Sequence, residues 1–425
     1  METLFAGIDL GTSGVRLAII NADKQLKSNT FIRYDQAQKQ SPELWWQSVQ
    51  QLLFDLPDDL KSHLQSLAID GTSGTILLTD KQGTPTSRVL MYDDLRATKE
   101  ADLIKQHLPE DNGGQGASGS LARLLWLLKH DASANHHHAV HQADYILGKL
   151  SNNFSLSDEN NCLKLGFDVV NMTWNQDAMQ SLGIDLSLLP EVFPAGTLVA
   201  SIHKAQASKL GLPESLQLVT GTTDSIAAFI ATGTQQLGEA VTSLGSTLVV
   251  KLLADKPIFS VKYGVYSHRL GDQWLVGGAS NSGGKVLRHY FSEQEMDAMT
   301  SQLSPSKLMG LDYYPLLKEG ERFPVSDPQK QAQLSPRPDA NIDFFQGMLE
   351  GIATIEKQAY QRLHDLGAPI VKSVRSVGGG SKNAAWTKIR QQQLYVEMIT
   401  PEYSEASYGA ALLALKGFIT GIKND

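Results

Sequence analysis

The sequence has almost no cysteine and no long hydrophobic run. Cys162 is the single cysteine among 425 residues, which excludes an intramolecular disulfide and a cysteine-based zinc cluster and is typical of a reducing compartment. The longest apolar stretches, such as residues 410–415, are far shorter than the roughly 20 residues of a membrane span. The N-terminus shows no cationic and apolar targeting segment. These absences predict a cytoplasmic protein with no membrane partner.

The sequence also lacks a basic run. Lys and Arg number 37 against 45 Asp and Glu, which gives a formal net charge of −8. A stripe of interleaved basic and aromatic residues, as in nucleic-acid binding proteins, is absent. The expected partner is therefore a small molecule. The length favours two domains, each able to bury its own core, and facing domains would enclose a cleft.

Glycine, in contrast, is concentrated in short turns between β-rich runs. Residues 4–9 and 15–20 are predicted as the strands of a hairpin whose tip is residues 11–14. A strand over residues 67–70 leads into a second Gly-Thr-Ser-Gly turn at residues 71–74. Since one strand-turn unit follows another, the pattern indicates a fold with duplicated halves.

Helical patterns alternate with these strands and predict the α/β class. A helix is expected to begin at Asp224, and a new β-rich region opens after residue 233. We therefore expect domains at residues 1–232 and 233–425. A C-terminal helix over residues 403–425 is expected either to stay with the second domain or to pack back on the first.

The first candidate motif is Asp-Leu-Gly-Thr-Ser-Gly at residues 9–14. A tip with two glycines and two hydroxyls can aim backbone N–H groups and hydroxyls at phosphate oxygens. The alternative is a plain hairpin turn in which Asp9 makes a local hydrogen bond. Taken alone, the turn is the simpler interpretation.

The second motif is Gly-Thr-Thr-Asp-Ser at residues 221–225, directly before an apolar helical run. Asp224 could cap the helix by accepting from backbone donors. It could also act as a general base, since the positive helix end keeps a carboxylate ionised. Taken alone, the helix cap is the simpler interpretation of Asp224.

The third motif is Gly-Gly-Gly-Ser-Lys-Asn at residues 378–383, between a predicted strand at 374–377 and a predicted helix at 384–394. Three consecutive glycines at such a junction exceed what a connection needs and indicate close approach of a flat ligand. The segment does not have the spacing of a Walker P-loop.

A cluster of histidines at residues 136–141 could in principle hold a metal ion. No supporting carboxylate pattern accompanies His136, His137, His138 and His141. We therefore expect a solvated loop there rather than a zinc site.

In this order along the chain, the motifs resemble those of the FGGY carbohydrate kinase family, and most of all its short D-ribulose kinases of cyanobacteria and plants, also described as xylulose kinase-like. The segments that carry the resemblance are residues 9–16, 71–74, 221–225, 245–247, 281–284 and 378–386. The resemblance implies two actin-like (ribonuclease H-like) ATPase domains that close on ATP and a sugar in an interdomain cleft.

The resemblance also implies roles for individual residues. Asp224 would be the catalytic base, with Asp9 and Thr12 as further catalytic residues, and Asp9 would position Mg²⁺. The expected ATP-binding residues are Gly11, Thr12, Ser13, Gly14, Gly245, Thr247, Gly379, Gly380, Asn383 and Trp386. The expected substrate-binding residues are Asp9, Ser73, Asp94 and Asp224.

The expected reaction is transfer of the γ-phosphoryl group of MgATP to a ketopentose, with D-ribulose giving D-ribulose 5-phosphate. D-Xylulose is the alternative substrate. From other classes, an actin-like or chaperone-like ATPase and a non-catalytic sugar sensor remain alternatives. The Thr-Thr-Asp segment at residues 222–224 favours the kinase over the ATPase, and joint retention of Asp9, Thr12 and Asp224 argues against the sensor.

Overall fold

The computed structural model describes residues 2–35, 37–131, 133 and 135–424, and side chains as far as residue 421. The chain divides into two compact units. The first comprises Met1–Ala231 and Tyr403–Asp425, and the second comprises Thr232–Glu402. Most of the segment expected as a C-terminal helix is thus in the first unit, and its residue 425 lies outside the described residues.

Strands occur in both units. In chain order they are β1 (Leu4–Leu10), β2 (Gly14–Asn21), β3 (Leu26–Arg33), β4 (Leu64–Gly71), β5 (Ile76–Thr79), β6 (His138–His141), β7 (Leu156–Asp158), β8 (Glu191–Phe193), β9 (Leu198–Ser201), β10 (Gln217–Thr223), β11 (Glu239–Leu244), β12 (Leu248–Ala254), β13 (Tyr266–Leu270), β14 (Gln273–Ala279), β15 (Ser373–Val377) and β16 (Glu397–Ile399).

Helices alternate with the strands. The α-helices are α1 (Pro42–Phe54), α2 (Asp58–Lys61), α3 (Thr98–Ile104), α4 (Ser120–His130), α5 (Gln142–Ser151), α6 (Glu159–Leu163), α7 (Gln176–Ser181), α8 (Lys204–Leu210), α9 (Asp224–Ala231), α10 (Gly284–Tyr290), α11 (Glu293–Thr300), α12 (Asn341–Asp365), α13 (Ala384–Leu394) and α14 (Ala406–Asn424). Short 3₁₀ turns occupy Leu186–Leu188, Val261–Tyr263 and Gly379–Lys382. No helix within the described residues combines the length and apolarity that crossing a membrane requires.

The two units each contain a six-stranded mixed sheet. In the first unit the order is β3-β2-β1-β4-β10-β9, and in the second it is β13-β14-β12-β11-β15-β16. In the first sheet β3, β2 and β1 are antiparallel neighbours, and β4 and β10 then run parallel to β1. In the second sheet β13, β14, β12 and β11 are antiparallel neighbours, and β15 and β16 then run parallel to β11. The α/β class and the duplicated halves that the sequence predicts are therefore confirmed.

Helix α14 packs on the sheet of the first unit through glycines that allow close backbone approach. A Cβ on Gly7 of β1 would lie 2.1 Å from the Ser407 carbonyl oxygen, and one on Gly409 would lie 1.8 Å from the Ala227 carbonyl oxygen of α9. The Ser66 hydroxyl donates to the Ala414 carbonyl at 2.8 Å. The last helix of the chain thereby supports the first strand.

Short-range predictions agree closely with the structure. Helix α13 has the bounds that the sequence pattern predicts, residues 384–394. Ser41 explains the start of α1, because its side chain accepts from the Leu44 N–H and Pro42 follows at the first helical position.

The expectation of a solvated loop at the histidine cluster is wrong for its second half. Residues His138–His141 form β6, which pairs antiparallel with β5. His141 is fully buried, with Nδ1 2.9 Å from Asp144 Oδ2 and Nε2 3.2 Å from Ser120 Oγ. Burial of the apolar neighbours on β6 overrides the polar local composition. Among the described residues no group of three or more His, Cys, Asp or Glu side chains is placed to hold a metal ion.

The second unit is fixed internally by a buried ion pair between α12 and α13. Arg390 donates through Nε to Glu356 Oε2 at 2.6 Å and through Nη2 to Oε1 at 2.7 Å, and both side chains are fully buried. Thr242 of β11 and Ser376 of β15 add hydrogen bonds. The bidentate geometry neutralises both charges where water cannot.

Candidate functional site

The C-terminal ends of three parallel strands bring acidic and hydroxyl side chains to one edge of the first sheet. Asp9 of β1 is the register partner of Asp70 of β4, and Asp70 is in turn the partner of Thr222 of β10. Asp224 follows β10 directly and opens α9. Because these strands run in the same direction, residues distant in sequence meet at this edge.

A β-bulge in β10 sets the position of Asp224. Leu218 and Val219 pair with Leu67 and Ala68, but the register then shifts by one residue so that Thr222 pairs with Asp70. The extra residue falls beside Gly221, where an added Cβ would lie 1.6 Å from the Ile69 carbonyl oxygen. Only glycine fits this approach, so the bulge depends on Gly221.

The hairpin tip between β1 and β2 carries the expected phosphate-binding residues. The Gly11 N–H donates to the Gly14 carbonyl at 3.0 Å, which closes the turn and leaves Thr12 and Ser13 exposed at its tip. Gly14 is different, because it is buried and an added Cβ would lie 2.2 Å from the Ile32 carbonyl oxygen. The structure therefore gives Gly14 a packing role against β3, whereas residues 11–13 face solvent.

A cluster of buried polar atoms lies behind this tip. Asp9 Oδ1 and both carboxyl oxygens of Asp70 are buried without a hydrogen-bond donor from any other described residue, as are the hydroxyls of Thr222 and Thr223. The carboxyl groups of Asp9 and Asp70 are close enough to hydrogen-bond to each other. Such a bond requires a proton on one of them, since two carboxylates have no donor.

Burial and mutual repulsion decide which group holds that proton. Burial, followed by the charge of Asp9, raises the pKa of Asp70 well above its usual range. Burial also raises the pKa of Asp9 to about 6, with further repulsion from Asp224, while the hydrogen bond from Asp70 and the charge of Arg16 partly offset this. Asp70 is therefore the donor and Asp9 the acceptor.

Asp70 is a site residue that the residue-by-residue expectations missed. Its signal was present in the sequence, because Asp-Gly-Thr-Ser-Gly at residues 70–74 closely matches the motif at residues 9–14. The resemblance to a family supplied no role for it. Only the parallel pairing of β1 with β4 shows that the two aspartates are neighbours.

Asp224 lies at the start of α9 and is partly buried. The structure has it as the first helical residue, with Oδ1 accepting from the Ser225 N–H at 2.6 Å. This contact is compatible with a helix-terminal role, while the position beside Asp9 and Asp70 is compatible with chemistry. Its charge contributes to the raised pKa of both of these aspartates.

The expected sugar-binding residues lie on two segments joined by a buried arginine. Arg123 of α4 donates through Nη1 to the Gly74 carbonyl at 2.8 Å and through Nη2 to the Tyr92 and Asp94 carbonyls at 2.6 and 2.9 Å. Ser73 precedes Gly74 and is half-buried. Arg123 thus holds the Ser73 turn beside the segment that carries Asp94.

The Asp94 carboxylate is engaged by a neighbour in its own segment. Arg96 donates to it from the backbone at 3.0 Å and from Nε at 2.9 Å, and Nη2 lies 2.8 Å from Oδ2. Partial burial opposes ionisation, but these contacts outweigh it and lower the pKa of Asp94. The structure therefore shows Asp94 ordering its own segment.

The second unit presents its own glycine-rich hairpin tip. Gly245 and Thr247 lie between β11 and β12, and Gly284 N–H donates to the Gly245 carbonyl at 2.9 Å. Arg288 of α10, absent from the sequence expectations, donates to the Ser246 hydroxyl at 2.9 Å. Its guanidinium places a positive charge at the tip, where a phosphate could be bound.

The glycine run after β15 differs from expectation at Gly380 and Trp386. An added Cβ on Gly379 meets nothing within 4 Å, so this residue borders open space. One on Gly380 would lie 2.6 Å from the Trp386 ring and 2.9 Å from Leu244 Cβ, inside the unit rather than in a ligand space. Trp386 is a core residue whose indole N–H donates to the Leu349 carbonyl at 3.0 Å. It can support the loop from behind but offers no open ring face.

Asn383 also has a structural task at this loop. Its Oδ1 caps α13 by accepting from the Trp386 N–H at 2.9 Å, and its Nδ2 donates to the Thr300 hydroxyl at 3.0 Å. The loop is thus shaped by Gly378, which has φ of 85°, and anchored by Asn383.

The residues present fit a magnesium ion that is held together with phosphate. Mg²⁺ prefers carboxylate and phosphate oxygens and keeps several waters. The buried Oδ1 of Asp9 is an oxygen ligand of that type. Since the described residues contain no group of three or more metal-ligating side chains placed for a metal ion, the protein alone does not form a closed cage.

Comparisons with known proteins cover almost the whole chain. The family model for the FGGY family of carbohydrate kinases, N-terminal domain, matches residues 4–231, and that for the C-terminal domain matches residues 240–418. The chain is 23% identical to the xylulose kinase of Staphylococcus xylosus, over 97% of this chain and 90% of that protein. It is 21% identical to the gluconokinase of Bacillus subtilis (strain 168), over 98% of this chain and 88% of that protein.

A solved structure shows the same fold. The crystal structure of a xyloylose kinase from Brucella ovis superimposes with a TM-score of 0.88 at 21% identity, over 98% of this chain and 91% of that one. At this identity the likeness supports the two-domain α/β fold alone. Both units therefore have counterparts of known structure.

The Asp9–Asp70 pair predicts an unusual pH dependence of stability in protein freed of divalent cations. Both pKa values are raised on folding, so the folded state binds more protons than the unfolded state, and the free energy of unfolding should fall as the pH rises from about 4 towards about 6. Asp70→Asn supplies a neutral hydrogen-bond donor to Asp9 and should make this decline shallower. The change should be roughly 1.4 kcal/mol for each unit by which a raised carboxyl pKa no longer departs from its usual value.

Urea unfolding of the wild type and Asp70→Asn between pH 4 and 8, in a chelator, measures this slope. Asp102→Asn is the control, because Asp102 is an exposed partner of Lys105. Parallel stability curves for the wild type and Asp70→Asn would contradict the shared-proton arrangement.

Proposed function

The chain belongs to the FGGY family of carbohydrate kinases, and from this premise we propose that it phosphorylates a terminal hydroxyl of a ketopentose, with D-ribulose giving D-ribulose 5-phosphate. Membership makes it an ATP-dependent sugar kinase, a phosphotransferase. The observation that carries the proposal is the sheet edge where Asp9, Asp70 and Asp224 meet beside the exposed tip of residues 11–13. Acceptor activation and phosphate binding are thereby available in one place.

The phosphate side of the reaction rests on the first hairpin. The N–H groups of residues 11–13 and the hydroxyls of Thr12 and Ser13 are the donors that a transferring phosphoryl group requires as its charge spreads over its oxygens. Asp9 would hold Mg²⁺, which would neutralise charge on the phosphates. Because the protonated Asp70 donates a hydrogen bond to Asp9, the carboxylate of Asp9 is kept oriented.

Asp224 would accept the proton of the attacking hydroxyl. Its place in the first turn of α9 favours the ionised form through the helix dipole. The loose transition state of phosphoryl transfer needs positioning more than strong base catalysis. Asp224 would therefore orient the hydroxyl first and take its proton late.

The nucleotide side rests on the second unit. The hairpin tip with Gly245 and Thr247, and Arg288 beside it, offers donors to phosphate oxygens. Gly379 would leave room for adenosine, because open space lies where its side chain would stand.

The choice between ketopentoses rests on the Ser73 turn. Ser73 is half-buried, and Arg123 fixes the next residue by a hydrogen bond of 2.8 Å to its carbonyl. D-Ribulose and D-xylulose differ at C3, so one hydrogen bond can separate them. D-Xylulose is the second candidate, because the curated relatives include several xylulose kinases.

We expect a panel of acceptors to separate the candidates. With D-ribulose, L-ribulose, D-xylulose, L-xylulose, glycerol and gluconate, sugar-dependent ADP release should give the highest kcat/KM for D-ribulose, by about 5- to 150-fold over D-xylulose if one buried polar group is left unpaired. Preference for any other acceptor rejects D-ribulose. ADP release that no sugar stimulates favours the ATPase alternative, and binding without turnover favours a sensor.

Asp224→Asn should separate a catalytic role from a helix-terminal one. Asn serves a helix start as well as Asp does, so the melting temperature and ATP affinity should be retained. The amide cannot accept the proton, so kcat should fall by about 10²- to 10⁴-fold. Asp177→Asn, in the first turn of the exposed helix α7, is the matched control. Near-normal turnover of Asp224→Asn would leave it as a helix-terminal residue.

Two neighbouring glycines give a matched test of the nucleotide loop. Gly379→Val projects into open space and should weaken ADP binding by at least about tenfold, with an unchanged melting temperature. Gly380→Val meets the Trp386 ring and should lower the melting temperature as well. Calorimetric titration of ADP into both folded variants measures the difference. Wild-type ADP affinity in Gly379→Val would place adenosine elsewhere.

A further inference from the structure

The second unit contains a pocket that is separate from the glycine loops described above. Its volume is about 130 Å³, and it opens on the face of the β12-β14-β13 portion of the sheet. Alternation along the strands places Val249 and Lys251 of β12 on the same face as Leu275 and Gly277 of β14. The opposite face carries Val250, Leu252 and Val276, which pack into the core with α12.

The pocket exists because one position in a cross-strand row has no side chain. Gly277 is the register partner of both Lys251 on β12 and Tyr266 on β13. An added Cβ there would lie 2.9 Å from the Val250 carbonyl oxygen and 3.3 Å from Lys251 Cγ. Gly277 therefore keeps a gap between a cationic side chain and an aromatic one. The Tyr266 ring is partly exposed, with its centroid 5.1 Å from that of His268.

The lining is positive although the chain is acidic. Lys251 and Arg322 contribute positive charge to it, His268 adds an imidazole ring, and no carboxylate lines it, while the whole chain has a formal net charge of −8. Arg322 is exposed, and its guanidinium makes no hydrogen bond or ion pair with any residue that the structure describes. A guanidinium of this kind can donate two parallel hydrogen bonds to a phosphate or a carboxylate.

Glu321, which precedes Arg322 in the sequence, hydrogen-bonds to other residues. The Glu321 carboxylate is buried and accepts from the Ser280 hydroxyl at 2.6 Å and from the Asn281 N–H at 2.7 Å. The Tyr314 hydroxyl is a third donor at 3.1 Å. Glu321 therefore does not neutralise Arg322, and its hydrogen bonds anchor the backbone next to Arg322.

We propose that this pocket is a second small-molecule site, which binds a small phosphate monoester. Lys251 and Arg322 would contact the phosphate, and the exposed Tyr266 ring would contact the short carbon body. The volume is well below the roughly 300–1,000 Å³ of pockets for drug-sized ligands, so a nucleotide would not fit. Residues 245–247 and 379, assigned above to nucleotide binding, do not line the pocket. The site is therefore independent of the proposed reaction.

Calorimetric titration of the full chain with glycerol 2-phosphate tests the proposal. Saturating ADP is included to occupy the nucleotide loops, and this phosphate ester is not the product of phosphorylating a terminal hydroxyl. We expect binding to the wild type, weakening at higher salt because the contacts are ionic. Arg322→Met and Lys251→Met should each reduce the affinity by about tenfold or more. Lys307→Met, at an exposed lysine of the same unit that does not line the pocket, should bind like the wild type.

Further ligands distinguish the sources of the signal. Inorganic phosphate that binds as tightly as the ester would assign the site to the phosphate group alone, while weaker binding shows that the carbon body contributes. Equal binding of uncharged glycerol, unchanged affinity in Arg322→Met, or no binding by the wild type would each overturn the proposal. Because Arg322 is exposed, its variant is expected to fold, and its melting temperature verifies this.

Discussion

The proposed active site depends on the backbone contact between Gly221 and the Ile69 carbonyl. That contact permits the one-residue bulge of β10, and the bulge brings Thr222 opposite Asp70. Without the extra residue every later side chain of β10 would turn to the other face of the sheet, because side chains alternate with a period of two. Asp224 would then begin α9 from a different position. A single glycine without a charge or hydroxyl thus controls where three functional groups meet.

The same sheet is supported from the other end of the chain. Gly7 and Gly409 let α14 approach β1 and α9 at backbone distance, and Tyr408 donates to the Lys24 carbonyl at 2.7 Å. Glu405, at the start of this segment, pairs with Arg16 of β2 at 3.4 Å. Arg16 lowers the pKa of Asp9 and Glu405 raises it, so the segment that leads into the last helix acts on the electrostatics of the first strand.

Local signals in the sequence were sufficient to predict individual helices and strands. They were not sufficient to predict which distant elements pack or pair with one another. The hairpin at residues 11–14 and helix α13 follow from turn residues and caps a few positions apart, and both were predicted. The Asp9–Asp70 pair depends on a parallel pairing across about sixty residues, which no local pattern encodes. The surroundings of His141 were misjudged for the same reason, since burial by distant elements decides its environment.

Glu356 of the second unit and Asp70 of the first are buried carboxyl groups with opposite surroundings. In the second unit Glu356 is buried as completely as Asp70, but Arg390 neutralises it with two hydrogen bonds and so removes any affinity for an added cation. In the first unit Asp70 has no cationic partner among the described residues, and Asp9 has only the more distant charge of Arg16. An unneutralised carboxyl pair destabilises a folded protein. This destabilisation can be offset when a cation binds, which is why the Asp9–Asp70 pair of the first unit, and not the neutralised Glu356 of the second, is suited to hold a divalent cation.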